Sequence, residues 1–140
     1  MKVLQFLFVF LLFSSCSKEK RFEGDLDGSW ELSRMMVTDG QLQEHIINNP
    51  KGDVDFNFQD LNVSGSCLFN IPIDTILYEF FIDFSGPDLI SNIESRTLTF
   101  GLGTFQNNYQ IILLTKRDLV LEYYDDLNFQ LRKFIFIKQD

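Results

Sequence analysis

Alanine does not occur in this chain of 140 residues, and histidine and tryptophan each occur once. Without alanine, the best helix former, a helical protein is a poor expectation. His45 is the single histidine, in Gln43-Glu44-His45-Ile46, where a strand edge or loop is expected. A Ser-His-Asp triad has only that residue to draw on, and no G-x-S-x-G turn accompanies it. A zinc site needs three or four His, Cys or acidic ligands, so none is expected. Bases are scarce too: 12 Lys and Arg face 20 Asp and Glu, a formal charge of −8. That balance excludes a nucleic-acid partner, whose phosphates demand cations. It also excludes docking on anionic lipid by surface charge alone. No glycine-rich phosphate loop with lysine, no internal repeat and no low-complexity stretch is present. Cysteine occurs twice, at positions 16 and 67.

What is present begins at the N-terminus. Lys2 precedes an apolar run, Val3 to Phe13, interrupted only by Gln5 and followed by Ser14-Ser15-Cys16. A charged start, an apolar centre and small residues at a cut form an export signal. The run is well short of the roughly 20 residues a transmembrane helix needs. With Cys where the cut would fall, the stretch resembles a bacterial lipoprotein signal. The resemblance implies a signal peptide over 1–15, acylation of Cys16, and a lipid anchor in the cell envelope, at the outer membrane. Cleavage leaves 140 − 15 = 125 residues, a single domain, with charge 11 − 20 = −9 once Lys2 is lost. Residues 16–27, rich in charge, read as a lipidated tether that is solvated, and Ser17-Lys18-Glu19 resembles a surface-export tag in part. If Cys16 carries lipid, Cys67 has no partner for a disulfide and reads as a small buried hydrophobe.

From Gly28 to the C-terminus the pattern is strand after strand. Asp53 to Gln59 alternates without a fault and puts Val54, Phe56 and Phe58 on one face. Thr75 to Phe84 sets Tyr78, Phe80, Ile82 and Phe84 against Leu77, Glu79, Phe81 and Asp83. Shorter runs follow at 96–100, 109–115, 118–124 and 129–138. Turn chemistry separates them, as in Thr38-Asp39-Gly40, Ser85-Gly86-Pro87-Asp88, Gly101-Leu102-Gly103, Gln106-Asn107-Asn108 and Asp125-Asp126-Leu127-Asn128. Roughly eight or nine short strands joined by hairpins predict an all-β sandwich or barrel. Phe129 and Leu131 face one way and Phe134 and Phe136 the other, which predicts a β-bulge at Arg132-Lys133.

Gly28-Ser29-Trp30 and the run Tyr109-Gln110-Ile111-Ile112-Leu113-Leu114-Thr115, continued by Leu119-Val120-Leu121, resemble the lipocalin-like domains of Gram-negative lipoproteins. The resemblance implies a small up-and-down β-barrel of about eight antiparallel strands over 28–140. It implies that Gly28 and Trp30 close the barrel floor, with a late base, Arg132 or Lys133, packed over the indole. It names no ligand.

Phe56, Phe58, Tyr78, Phe80, Phe84 and Phe100 are the candidate ligand residues, lining an apolar mouth or filling the barrel solid. The acids Asp53, Asp55 and Asp60 read as a solvated face rather than a calcium site. No cofactor is expected. The sequence therefore favours a binding module over an enzyme. Its expected partner is an apolar small molecule or, if the barrel is filled, another envelope protein that it docks or inhibits.

Overall fold

The computed structural model describes residues 18–48, 50–73 and 76–140. The expected signal peptide, Cys16 and Ser17 lie outside the described residues, as does Thr75.

A helix at 18–26 precedes eleven strands. These are β1 (Gly28–Thr38), β2 (Glu44–Asn48), β3 (Lys51–Asn57), β4 (Asn62–Ile73), β5 (Ile76–Asp83), β6 (Gly86–Pro87), β7 (Ile90–Asn92), β8 (Thr97–Leu102), β9 (Phe105–Leu114), β10 (Asp118–Asp125) and β11 (Gln130–Lys138). Hydrogen-bonded order along the sheet is β5-β4-β3-β1-β11-β10-β9-β8-β7, with every pairing antiparallel. The all-β architecture expected from the hairpin spacing is present, with the up-and-down order that the resemblance implied, and the first and last strands pair.

Two short strands lie beyond the expected ones: β2, and β6, which forms within Ser85–Asp88 where a turn was expected. β2 and β3 both pair with the same edge of β1, one beyond the other, and Pro50 sits between them. Proline has no N–H to give the ladder, so the strand pauses there. β5 and β6 likewise follow one another along β4. Gln106, Asn107 and Asn108 lie inside β9; the turn they were expected to make falls at Gly103-Thr104.

Among the described residues the hydrogen-bonded sheet does not close, because β5 and β7 are not paired. β6 lies in this gap, bonded to β4 at Asn62 and Val63 and packed on β8. A Cβ at Gly86 would come within 3.2 Å of the Phe100 ring and 3.3 Å of Gly101. A side chain here would force Phe100 or the Gly101 backbone to give by a few tenths of an ångström, so glycine suits the close approach.

Strand alternation drives one continuous core. Leu32, Met35 and Val37 of β1, Cys67, Phe69 and Ile71 of β4, Leu119 and Leu121 of β10, and Phe134 and Phe136 of β11 all point inward and are buried. The middle of the barrel is filled by rings. Phe84 meets Phe134 at 5.3 Å, edge to face, and Phe100 stacks on Tyr109 at 5.6 Å. Such pairs contribute ~0.5–1.5 kcal/mol beyond the area they bury.

The expected solvated tether is corrected for residues 18–26. They form a helix that inserts Phe22 and Leu26 into the core and covers one end of the barrel. The apolar pair at i and i+4 lies on one helical face and explains why the charged segment docks. Trp30 anchors it, donating its indole N–H to the Leu26 carbonyl at 2.8 Å.

The base over that indole is Lys138, not Arg132 or Lys133. Its Nζ lies 4.6 Å from the Trp30 ring centroid and donates to the carbonyls of Asp25 and Asp27 at the helix C-terminus. A cation there is attracted both by the negative end of the helix dipole and by the negative face of the indole ring. Burial against the indole lowers the Lys138 proton affinity, opposed by Asp27 and Asp25. Gly28 turns the chain at this point with φ +107°, and the Lys138 side chain passes 3.4 Å from where its Cβ would be. Register is the reason for the exchange. Trp30 pairs with Lys138 whereas Arg132 pairs with Val37, seven residues along β1 and so roughly 23 Å away.

β11 carries no bulge at Arg132-Lys133. Gln130, Arg132, Phe134 and Phe136 alternate inward without interruption. Irregularities in register fall instead in β1, between Leu32 and Arg34, and in the β9–β10 pairing.

Candidate binding site at the open end of the barrel

The helix covers the end where β1 begins and β11 finishes. At the other end, β5 borders the gap in the sheet. Its inward positions are Phe84 just after the strand, then Ile82, Phe80 and Tyr78 toward the open end. Phe84 is buried, Ile82 and Phe80 are half-buried, and Tyr78 is 46% exposed. Their partners on β4, Cys67, Phe69 and Ile71, are all buried. Cross-strand partners share a face, so the exposure of β5 comes from its missing neighbour. The result is an inward, aromatic wall that opens progressively to solvent.

Phe80 stacks on Phe69 with centroids 5.4 Å apart and planes 11° apart. The Arg132 guanidinium lies over both rings, 5.9 Å from Phe69 and 5.7 Å from Phe80. Arg132 is buried, and a buried cation must be paired. Its Nη2 is 2.7 Å from Asp125 Oδ2, and its Nε and Nη2 donate to Gln130 Oε1. Asp125 is held in turn by the β10–β11 turn, accepting from the Leu127 and Asn128 N–H groups and from Asn128 Nδ2. Burial alone would raise the Asp125 carboxyl. Hydrogen bonds from Asn128 and the Arg132 charge outweigh it and hold the group below the usual carboxylate range. Tyr123, half-buried and paired with Arg132 across β10 and β11, extends the wall toward Tyr109 at 5.2 Å.

The six aromatic residues singled out from the sequence do not share one pocket. Phe56 is buried at the covered end, beside Gly28. Phe58 lies beyond β3 in the β3–β4 turn, half-buried, its N–H bonded to Asp27 Oδ1. Phe84 and Phe100 belong to the packed middle. Only Phe80 and Tyr78 reach the open end. Antiparallel register explains the separation: Phe56 pairs with Val63 and Tyr78 with Ile71, eight residues and about 27 Å apart on β4. Phe69, Tyr123, Gln130, Asp125 and the inward Arg132 complete the site and were not read from the sequence as its members. Period-two alternation of 130, 132, 134 and 136 was the signal available for Arg132, obscured by the polar residues at inward positions.

Two clefts lie elsewhere. One, of about 440 Å³, lies on the outer face among Glu31, Lys51, Asp53, Ser66, Leu68 and Gln139. Another, of about 330 Å³, lies beside the helix at Glu19, Phe22, Glu23 and Asn92 to Glu94. Polar side chains dominate both.

His45 accepts or donates one hydrogen bond, 3.0 Å from Asp39 Oδ2, while Asp39 Oδ1 accepts from the N–H groups of Gln41 and Gln43. The His45 bond and these N–H groups lower the Asp39 carboxyl pKa. Together they tie the β1–β2 turn. Cys67 is a free, buried thiol whose pKa burial pushes up to about 12, so it is a poor nucleophile. No group of three or more metal-ligating side chains occurs among the described residues.

No protein-family model matches the sequence, and no curated protein does. Solved structures of lipocalins show a distant similarity to the chain. A lipocalin-like protein from Bacteroides uniformis is 17% identical at a TM-score of 0.42, over 82% of this chain and 99% of that one. A complex of bovine odorant binding protein with undecanal is 16% identical at 0.40, over 83% and 72%. A dog lipocalin allergen is 12% identical at 0.38, over 80% and 72%.

Proposed function

We propose that this chain is a cell-envelope lipoprotein, anchored through acylated Cys16 to the outer membrane, that binds a small apolar ligand at the open end of its barrel. The observation that carries the binding reading is the inward wall of β5. Tyr78 and Phe80 face the interior yet remain open to solvent, although their cross-strand partners Ile71 and Phe69 are buried. Apolar contact with a few placed polar groups is how small ligands are held. Here Arg132, Gln130 and Asp125 supply the polar end, and Tyr78, Phe80 and Tyr123 the apolar surface. The ligand that fits is an amphiphile with its chain on the rings and its polar end at the guanidinium. A binding role also accords with the chemistry absent from the wall, since His45 is engaged in a turn and Cys67 is buried.

Titration of the chain from residue 16 onward, carrying Cys16→Ser, with a fluorescent apolar probe and competing fatty acids tests this. Saturable binding is expected. Phe80→Ala should weaken it about tenfold, by loss of buried aromatic contact, and Phe58→Ala should leave it unchanged. No saturable binding sinks the ligand reading.

For the anchor, Cys16→Ser in the full chain should release the protein from the membrane fraction and remove the acyl mass. Unchanged fractionation and mass would overturn it.

A second reading rests on the rim. Leu42, Leu102, Leu127 and Phe129, from three loops at the open end, are exposed, and such a rim suits docking of another envelope protein.

A further inference from the structure

β5 is an edge that the fold leaves unprotected. One side bonds β4 from Ser66↔Asp83 to Ile73↔Ile76, and among the described residues no strand pairs with the other side. Edge strands in soluble proteins are usually blocked by lysine, proline, a bulge or brevity. Ile76-Leu77-Tyr78-Glu79-Phe80-Phe81-Ile82-Asp83 has none of these. Large apolar side chains are open on both faces, Leu77 69% and Phe81 68% exposed on the outside beside Glu79 and Asp83, and Tyr78 46% on the inside. The opposite end of the sheet, β7, has three residues and offers no such template.

We infer that two copies of this chain pair antiparallel through β5, about a two-fold axis at Phe80. Charge selects the register. In an antiparallel pair, opposed side chains lie on the same face, so inward residues must meet inward residues. Three two-fold registers keep most of the strand paired. Centring at Glu79 sets that carboxylate against its own copy. Centring at Phe81 sets Glu79 against Asp83 of the second copy. Centring at Phe80 sets Phe80 against Phe80 and Tyr78 against Ile82, and places Glu79 beside Phe81 and Leu77 beside Asp83, so no acid faces an acid. The free N–H and C=O groups of the edge are then satisfied, and the exposed Tyr78 of each copy lies against Ile82 of the other. A closed two-fold pair uses the edge once and leaves none for further growth.

The test is oligomeric state, read without any ligand, so it stands apart from the binding reading. Sedimentation equilibrium of the chain from residue 16 onward, carrying Cys16→Ser, should show a monomer–dimer equilibrium. Each copy is strongly acidic, so added salt should screen the repulsion and tighten the dimer several-fold. Register is read by cross-linking. Glu79→Cys in one copy directly opposes Phe81→Cys in the other, whereas like positions sit roughly 8 Å apart, beyond disulfide reach. An oxidised mixture of the two variants should give the linked dimer on a non-reducing gel, and each variant alone should not; both positions are exposed, so the fold is spared. A monomer under all conditions, open-ended association, or cross-linking of either variant alone as readily as the mixture would overturn the pairing.

Discussion

Trp30→Ala should lower the free energy of unfolding by about 3–5 kcal/mol, the loss usual for truncating a buried aromatic side chain. The indole is fully buried, and its N–H is the bond that holds the helix at Leu26. Removing it leaves the Leu26 carbonyl without its donor and strips the cover from the Lys138 ammonium. It also loosens Phe22 and Leu26, which reach the core only through that docking. For a domain of this size the melting temperature should fall by ~10 °C or more. Lys138→Met keeps the methylene stem and deletes the charge, so a smaller loss of about 1–2 kcal/mol is expected. Trp30 is the single tryptophan, so its emission reports the covered end directly in the Lys138 variant. If Trp30→Ala melts within a degree or two of the parent, the helix is not held as described.

Asp125→Asn should cost about 3–5 kcal/mol, because it strands the Arg132 cation inside the barrel. Asparagine preserves most of the turn bonds that Asp125 accepts, which isolates the charge. Replacing both partners with apolar residues, Asp125→Leu with Arg132→Met, should recover much of the loss, less whatever the unlatched β10–β11 turn gives up. The sign of the pH dependence follows from the direction of the Asp125 shift. Its folded pKa lies below the ordinary carboxylate value, so the stabilisation is complete above that ordinary value. It is lost as pH falls through the folded pKa. Urea titrations at neutral and acidic pH should therefore show an acid-labile increment in the parent that Asp125→Asn lacks. Equal acid lability in both proteins would place the titrating group elsewhere.

Much of the barrel could be read directly from residue order. Val54 and Phe56 alternate with acids, Tyr78 to Phe84 alternates with Glu79 and Asp83, and the structure gives each set the expected faces. Period-two alternation is local, so it survives without knowledge of the partner strand. The helix at 18–26 was hidden because nine residues carrying six charges look like a linker. Only two apolar side chains, Phe22 and Leu26, mark its buried face, and their value depends on a barrel end that does not exist in sequence. The polar trio Asp125, Gln130 and Arg132 was hidden for a related reason. Each looks like turn or surface taken alone, and becomes an interior cluster only when β10 and β11 pair at Asp125↔Gln130 and Tyr123↔Arg132.

By itself the sequence determined the all-β class of fold, the hairpin linkage of its strands and the inert character of Cys67. These depend on side-chain period, turn chemistry and composition, all properties of neighbours along the chain. Tertiary structure alone decided which base covers the indole, which aromatic rings pack the middle and which stay open, and where the sheet fails to close. Those depend on register, since one strand fixes the height of every side chain on the next. Arg132 and Lys138 are six residues apart in a single strand, yet register sends one to the open end and the other to the floor.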